Sequence, residues 1–186
     1  MEKNKKIIEL RSNNFVPGMT HVTSGVNLCR LPNGLICIGC CGFDFAKDLT
    51  DKTPFLNALQ QNTEEYKKYD SKEKFKKRYE LDDIHDCGIC RHLIITGKKN
   101  NHLQITCPLH PCENNGEELR LGECDGRFMC NTQNMFLKEW GPKTKKLFLE
   151  FLSEQDLDWF EYSKMMYHNK LSKKFMKTHR VENYLS

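Results

Sequence analysis

The N-terminal part of the chain contains two short apolar runs separated by a turn signal. Residues 22–31 and 35–38 flank the tripeptide Pro32-Asn33-Gly34. An Asn-Gly pair between apolar runs is the strongest short-range signal for a β-hairpin, because both residues accept the backbone angles of a tight turn. The pattern therefore predicts a hairpin that carries Cys29 on one arm and Cys37 at the end of the other.

Cap residues and helical spacing predict two helices in the middle of the chain. Thr53 followed by Pro54 has the form of an N-cap and a first-turn proline, which predicts a helix to about Tyr69. Ser71 has the form of a second N-cap, for a helix that runs through Tyr79.

Strand-like and helical patterns then follow each other. Residues 93–96 and 103–106 are rich in β-branched residues and are joined by the polar segment 97–102, which predicts a second hairpin with a longer loop. From Gly141-Pro142 onward the chain turns helical. An apolar stripe at helical spacing supports this: Leu147, Phe148, Phe151 and Leu152.

This order of elements predicts an α+β fold with three stretches. Residues 1–20 are a polar N-terminal lead-in. Residues 21–140 form a cysteine-rich metal-binding domain with a helical insert over residues 53–80. Residues 141–186 are a C-terminal helical segment with a basic tail, packed on the same domain. We expect a small, irregular, metal-stapled domain with short β-hairpins and flanking helices.

The composition indicates a hydrophobic core that is thin for the chain length. Apolar residues make up 38% of the 186 residues and charged residues 29%. Globular chains usually contain about 45–50% apolar residues when Gly is counted. Ten cysteines are available to supplement such a core. The net charge of +4 is too small to identify a nucleic-acid-binding protein by itself.

The sequence favours a cytoplasmic protein with no membrane segment. No window approaches the run of about 18 apolar residues that a membrane helix needs. The basic N-terminus has only Ile7-Ile8 where a signal peptide would have an apolar region of about 7–15 residues. Cytoplasmic thiols stay reduced, so the cysteines favour metal binding. A secreted protein with up to five disulfide bridges is the alternative.

The most specific motif is a pair of chelating turns. Cys87-x2-Cys90 is followed after sixteen residues by Cys107-x2-His110, and the predicted second hairpin lies between them. Two ligands separated by two residues fit on one tight turn and can bind the same ion, and a second such turn completes a tetrahedron. Cys112 lies two residues beyond His110 and could replace it as the fourth ligand.

A second group of cysteines lies in the first predicted hairpin. Cys37-x2-Cys40 is a chelating pair, and Cys29 can face it across the hairpin. Cys41 directly follows Cys40, and neighbouring side chains of an extended backbone point to opposite sides. The adjacent pair could therefore serve two metal centres or two irons of one cluster. Three more cysteines could complete a second site with this group: Cys112, Cys124 and Cys130.

Zinc is the expected cofactor, with an iron–sulfur cluster as the alternative. Thiolate-rich tetrahedral sites suit both. The ferredoxin-type run C-x2-C-x2-C-x3-C-P does not occur in the sequence, which lowers the weight of a cluster. The sequence also contains no H-E-x-x-H motif and no zinc-deaminase motif. No catalytic residue is assigned, and whether the chain is an enzyme stays open.

Several of these motifs resemble those of the YkgJ-like cysteine-cluster proteins, a family described as zinc- or iron-chelating. Residues 37–42, Cys-Ile-Gly-Cys-Cys-Gly, resemble the end of its CxxCxxCC motif, with Cys29 in place of the first cysteine. Residues 75–79 resemble its F-x-x-R-Y helix end, residues 90–93 its C-x-x-L and residues 107–111 its C-x-x-x-P. The resemblance covers about residues 29–112 and implies metal chelation.

Three functions follow from these patterns. The first is a metal-binding cysteine-cluster protein, and the second is an iron–sulfur redox or modifying enzyme. The third is a zinc-ribbon-like module that binds nucleic acid or protein through its basic C-terminal tail. Its phosphate contacts would be Lys98, Lys99, Lys173, Lys174, Lys177 and Arg180, with Phe175 and Tyr184 available for stacking on bases.

Overall fold

The structure is a computed structural model that describes residues 26–42, 45, 50–78, 84–122, 124 and 129–179. Some of the sequence predictions fall outside these residues. They are the lead-in, the first part of the N-terminal hairpin arm, the helix end at Tyr79, and the tail residues Arg180 and Tyr184.

The described residues contain six α-helices and one two-stranded sheet, so the α+β prediction is confirmed at this level. In chain order the elements are α1 (Thr53–Tyr66), α2 (Lys72–Lys76), β1 (Ile94–Lys99), β2 (His102–Thr106), a 3₁₀ turn (Pro111–Glu113), α3 (Asn131–Asn134), a π-helical turn (Met135–Glu139), α4 (Pro142–Ser153), α5 (Trp159–Tyr167) and α6 (Lys170–His179). In the part of the chain that the structure describes, none of these helices combines the length and apolarity needed to cross a membrane.

The chain divides into two compact units. The first unit contains Cys41–Gly97 and Gln104–Phe128, and therefore α1 and α2. The second unit contains Val26–Cys40, Lys98–Leu103 and the chain from Met129 onward, and therefore α3 to α6. The boundary at the N-terminal side falls between the adjacent cysteines Cys40 and Cys41.

The core of the second unit is aromatic. Phe148 lies at its centre, with ring centroids 4.9 Å from Trp140 and 5.0 Å from Phe175. Phe175 is fully buried, so the expectation that it is available for stacking on a base is wrong: its ring packs from α6 against Phe151 of α4. Residues from the N-terminal hairpin join the same core, namely Leu28, Leu31, Leu35 and Cys37.

The N-terminal hairpin forms as a turn with isolated bridges instead of regular strands. Leu31 N–H donates to Leu35 O at 2.9 Å, and Arg30 pairs with Ile36. Gly34 has a φ of +97°, and a Cβ at this position would lie 2.7 Å from Lys99 O. The Asn-Gly signal therefore predicted the turn correctly, because only glycine fits this angle and this approach.

The start of α1 differs by one residue from the prediction. Thr53 is the first helical residue, not the N-cap. Asp51 Oδ1 accepts hydrogen bonds from the Thr53 amide at 2.9 Å and from its hydroxyl at 2.7 Å, so the carboxylate satisfies donors at the helix start. The prediction for Ser71 is confirmed, since its hydroxyl oxygen accepts from the Lys74 amide at 3.2 Å.

The second hairpin is confirmed, but its turn is tighter than predicted. β1 extends through Lys99 and β2 begins at His102, which leaves only two residues in the turn. Asn100 and Asn101 have φ angles of 49° and 65°. Asparagine tolerates this left-handed region better than most residues, and two such angles in succession are typical of a type I′ turn.

The predicted C-terminal helix is confirmed as α4, with Pro142 in its first turn. The next helix, α5, begins with a capping box: the Asp158 carboxylate accepts from the Phe160 and Glu161 amides at 2.9 and 3.0 Å. These two helices and α6 supply about half of the buried side chains in the core of the second unit.

Candidate metal centre

All ten cysteines lie within the described residues, and none of them forms a disulfide bond. The alternative of five bridges is therefore not found. In the described ranges, no three or more His, Cys, Asp or Glu side chains converge closely enough to hold a metal ion as they stand.

Four thiols interact in the second unit: Cys29, Cys37, Cys40 and Cys130, called here the four-thiol group. The hairpin sets Cys37 opposite Cys29, because the Cys37 amide donates to Cys29 O at 3.0 Å. The Cys29 thiol is hydrogen bonded to the Cys40 thiol. Cys130 comes from a distant part of the chain and is the N-cap residue of α3.

The pKa values of three thiols in the four-thiol group, Cys29, Cys37 and Cys130, are shifted upward. A hydrogen bond with Cys40, together with burial, raises the pKa of Cys29 well above its usual value. Burial, and then the charge of Cys40, raises the pKa of Cys37, against the Gly39 amide and the Ser163 hydroxyl. Burial also raises the pKa of Cys130. Several of these thiols cannot lose their protons together unless a cation compensates the negative charges of the thiolates.

Helix α5 holds the backbone that carries this group. Ser163 Oγ accepts from the Ile38 amide at 2.9 Å, and Tyr162 Oη donates to Leu28 O at 2.8 Å. A Cβ at Gly39 would lie 2.7 Å from Ser163 O, so this glycine allows the close approach. No sequence motif predicts these supports, because a serine and a tyrosine within an apolar helix carry no local signal.

In the first unit, Cys41 and Cys90 lie opposite each other. Gly42 pairs with Ile89 in an antiparallel bridge, and the Cys90 amide donates to Cys41 O at 3.0 Å. A Cβ at Gly42 would lie 2.0 Å from Gly88 O, so only glycine permits this pairing. Cys87 lies in the turn of the Cys87-x2-Cys90 motif, where burial raises the pKa of its thiol against the amide of Ile89.

His92 lies beside Cys90, a contact that the sequence analysis missed. Its Nδ1 is 3.7 Å from Cys90 Sγ and its Nε2 is 3.3 Å from Lys76 O. Burial lowers the pKa of His92 to about 4, with the charges of Arg78 and Lys76 acting in the same direction and the Lys76 carbonyl opposing. The ring is therefore neutral at neutral pH. The C-x-H spacing was the only sequence signal for this pair.

Cys107 and Cys124 lie near each other in the same unit. Burial raises the pKa of Cys107 to about 12; the charge of Cys124 adds to this and that of Arg120 opposes it. Arg120 also forms an ion pair with Glu118 at 2.5 Å. Burial acts against the charge of Glu118, but hydrogen bonds from Arg120 leave its pKa below the usual value.

His110 and Cys112 are tied to each other through the backbone. His110 Nδ1 accepts a hydrogen bond from the Cys112 amide at 3.1 Å. The Cys112 side chain is exposed on the 3₁₀ turn. A neutral histidine whose Nδ1 accepts carries its proton on Nε2, so neither nitrogen of this ring is prepared to bind a metal in this arrangement.

A comparison with models of known protein families, with curated proteins and with solved structures gives no match. The resemblance to the YkgJ-like cysteine-cluster proteins therefore stays a prediction.

Proposed function

We propose that this chain is a zinc-binding cysteine-cluster protein in which the metal stabilises a small hydrophobic core. One observation carries the proposal. The thiols of the four-thiol group come from two chain segments about ninety residues apart, and their charges interact inside the second unit. Four thiols are the donor set of a closed, structural zinc site.

The energetics of the four-thiol group support a bound cation. Without one, burial and like charges keep the thiols protonated, and their sulfur atoms are poor hydrogen-bonding partners. A divalent ion replaces the protons and neutralises part of the thiolate charge. Structural zinc contributes about 10–16 kcal/mol in small finger peptides, so even part of this energy would offset a thin core.

The donor atoms favour zinc over harder cations. Thiolate ligands select zinc, copper(I) or iron–sulfur clusters, and zinc accepts a tetrahedral set of four without any redox requirement. An iron–sulfur enzyme is the alternative that the same donors allow. We propose a cytoplasmic location for the same reason, because thiols remain reduced there.

Elemental analysis of anaerobically purified protein tests this function. We expect at least one equivalent of zinc per chain, and loss of one equivalent in Cys37→Ser and in Cys130→Ser. Cys112→Ser is the matched control, since that thiol is exposed and outside the four-thiol group. Less than one equivalent of zinc plus iron in the wild-type protein contradicts the proposal. Iron with absorption near roughly 400 nm would identify the cluster alternative.

A second candidate function is binding of an acidic partner by α6. Four of its lysines are exposed, while Leu171 and Phe175 of the same helix are buried: Lys170, Lys173, Lys174 and Lys177. Such a face is suited to phosphate groups of a nucleic acid or to an acidic protein. Binding that does not weaken between low and high salt would exclude it.

A further inference from the structure

We propose that the first unit holds a second zinc centre whose ligands are Cys41, Cys87, Cys90 and His92. The inference depends on the proposed metal-binding function and goes beyond it by assigning a histidine ligand and a separate donor set. Its basis is the contact between His92 Nδ1 and Cys90 Sγ, together with the backbone pairing of Cys90 with Cys41.

The Cys90 and His92 side chains already have the separation of two zinc ligands. Tetrahedral bonds of about 2.3 Å to sulfur and about 2.0–2.1 Å to nitrogen set the two donor atoms about 3.6 Å apart. The distance between Cys90 Sγ and His92 Nδ1 is 3.7 Å. Without metal the two atoms share a hydrogen bond, and with metal the ion takes the place of its proton.

The ring of His92 is oriented for binding through Nδ1. A carbonyl oxygen can only accept, so the contact of 3.3 Å between Nε2 and Lys76 O requires the proton on Nε2. A lone pair on Nδ1 therefore faces Cys90. Metal-binding histidines commonly donate their other N–H to a backbone carbonyl, which fixes the tautomer and the ring plane. The edge of the Phe75 ring, with centroids 5.8 Å apart, restrains the ring further.

Cys41 presents its side chain to the same side as Cys90. The antiparallel bridge between Gly42 and Ile89 makes Cys41 and Cys90 directly opposite residues. Side chains of opposite residues lie on the same face, with Cβ atoms about 4.5–5.5 Å apart. Cys87 precedes Cys90 by three residues in a turn whose Gly88 has a φ of +86°. These donors do not converge as they stand, so the proposed centre requires the Cys41 and Cys87 side chains to rotate toward the Cys90–His92 pair when the ion binds.

The charges near these residues suit a zinc ion with three thiolates and one neutral histidine, which carries a net charge of −1. The charges of Asp86 and Arg91 act on Cys87 in opposite directions, while the charges of Arg78 and Lys76 act on His92. Positive side chains stabilise the net negative complex. The assignment also gives the adjacent cysteines separate partners: Cys40 belongs to the four-thiol group and Cys41 to this centre.

Cadmium NMR of the metal-substituted protein tests the assignment, because each bound ion gives its own resonance and a histidine ligand couples to it through labelled nitrogen. We expect one resonance coupled to a histidine nitrogen. His92→Cys should keep that ion but abolish the coupling, since sulfur replaces nitrogen, and His92→Ala should lose one equivalent of metal. His110→Ala is the matched control and should leave the coupling intact.

The outcomes separate the two proposals. A wild-type protein that takes up no ion contradicts the proposed function and this inference together. A protein that binds ions without any histidine coupling, or that keeps the coupling in His92→Cys, overturns only the present inference. Loss of the coupling in His110→Ala assigns the ligand to His110 and also overturns it. Because His92→Cys preserves a ligand at the position, the test does not depend on the folding of His92→Ala.

Discussion

Oδ1 of Asn62 accepts a hydrogen bond from Nε2 of His85 at 2.8 Å. The amide nitrogen of the same side chain donates to Cys90 O at 3.2 Å and to Leu93 O at 2.9 Å. Asn62 lies on α1 and is fully buried. One side chain therefore ties this helix to the turn that carries Cys87 and Cys90, and it fixes their backbone before any metal arrives.

Asn62→Ala should destabilise the first unit strongly. The substitution removes three hydrogen bonds: Leu93 O and His85 Nε2 lose their bonds to Asn62, while Cys90 O keeps the bond from the Leu93 amide, at a cost of about 2–4 kcal/mol. Chemical denaturation followed by circular dichroism measures the change. Gln61→Ala is the control, because its side chain is exposed on the same helix and bonds only Glu65. Equal losses for the two variants would contradict the proposed role.

Arg78→Lys should also destabilise the fold, although it conserves the charge. The guanidinium is almost fully buried and binds Glu65 Oε2 at 3.0 Å, Phe75 O at 2.8 Å and Arg91 O, while it stacks 3.6 Å above the Phe75 ring. Lysine has no planar group that can satisfy these partners together. We expect a loss of about 2–4 kcal/mol in a denaturation experiment.

An exposed ion pair provides the comparison for Arg78. Lys67 and Glu64 are joined at 2.7 Å, but both side chains are mostly solvent-accessible. Lys67→Met should therefore change the free energy of unfolding by less than about 1 kcal/mol. If Arg78→Lys changes the free energy of unfolding as little as Lys67→Met does, the buried contacts of the Arg78 guanidinium do not stabilise the fold.

Local sequence signals predicted much of the fold. The features that the sequence did not predict depend on contacts between residues far apart in the chain. Ser71 caps α2 as predicted, because a cap depends only on neighbours within one turn. The contact of His92 with Cys90 depends on the Lys76 carbonyl from a separate helix end, and no spacing rule encodes it. The thiols of Cys29 and Cys130 come together only through the packing of the second unit, which periodicity cannot specify.

Gly42→Ala should disrupt the pairing of Cys41 with Cys90. A Cβ at this position would lie 2.0 Å from Gly88 O, and the backbone has to separate to relieve the overlap. We expect a loss of more than about 2 kcal/mol in stability and weaker metal binding in the first unit. Gly141→Ala is the matched control, because a Cβ there meets no atom within 4 Å. A normal melting temperature for Gly42→Ala would contradict the close approach.

Asp51 should make the start of α1 sensitive to acid. Hydrogen bonds from the Thr53 amide and then the Thr53 hydroxyl lower the pKa of Asp51 below 3.8. The folded-state pKa is depressed, so the stabilisation is present above 3.8 and is lost as the pH falls through the folded-state value. The protection factors of amides in the first turn, including Leu56, should fall in acid, and Asp51→Ala should show that lower protection already at neutral pH. Asp70→Ala, at an exposed ion pair outside this turn, should not.

Removal of metal by a chelator should lower the melting temperature, and zinc should restore it. Zinc that binds only the folded state stabilises it in proportion to its affinity and free concentration. If the metal contributes about 5 kcal/mol, the loss corresponds to roughly 10–20 °C for a chain of this length. Magnesium should not restore the melting temperature, because it prefers oxygen ligands in octahedral geometry.

Removal of the metal should also expose thiols of the four-thiol group to alkylation, whereas the exposed Cys112 should react both before and after metal removal. Identical melting curves with and without the chelator, in protein shown to contain zinc, would mean that the ion does not stabilise this fold.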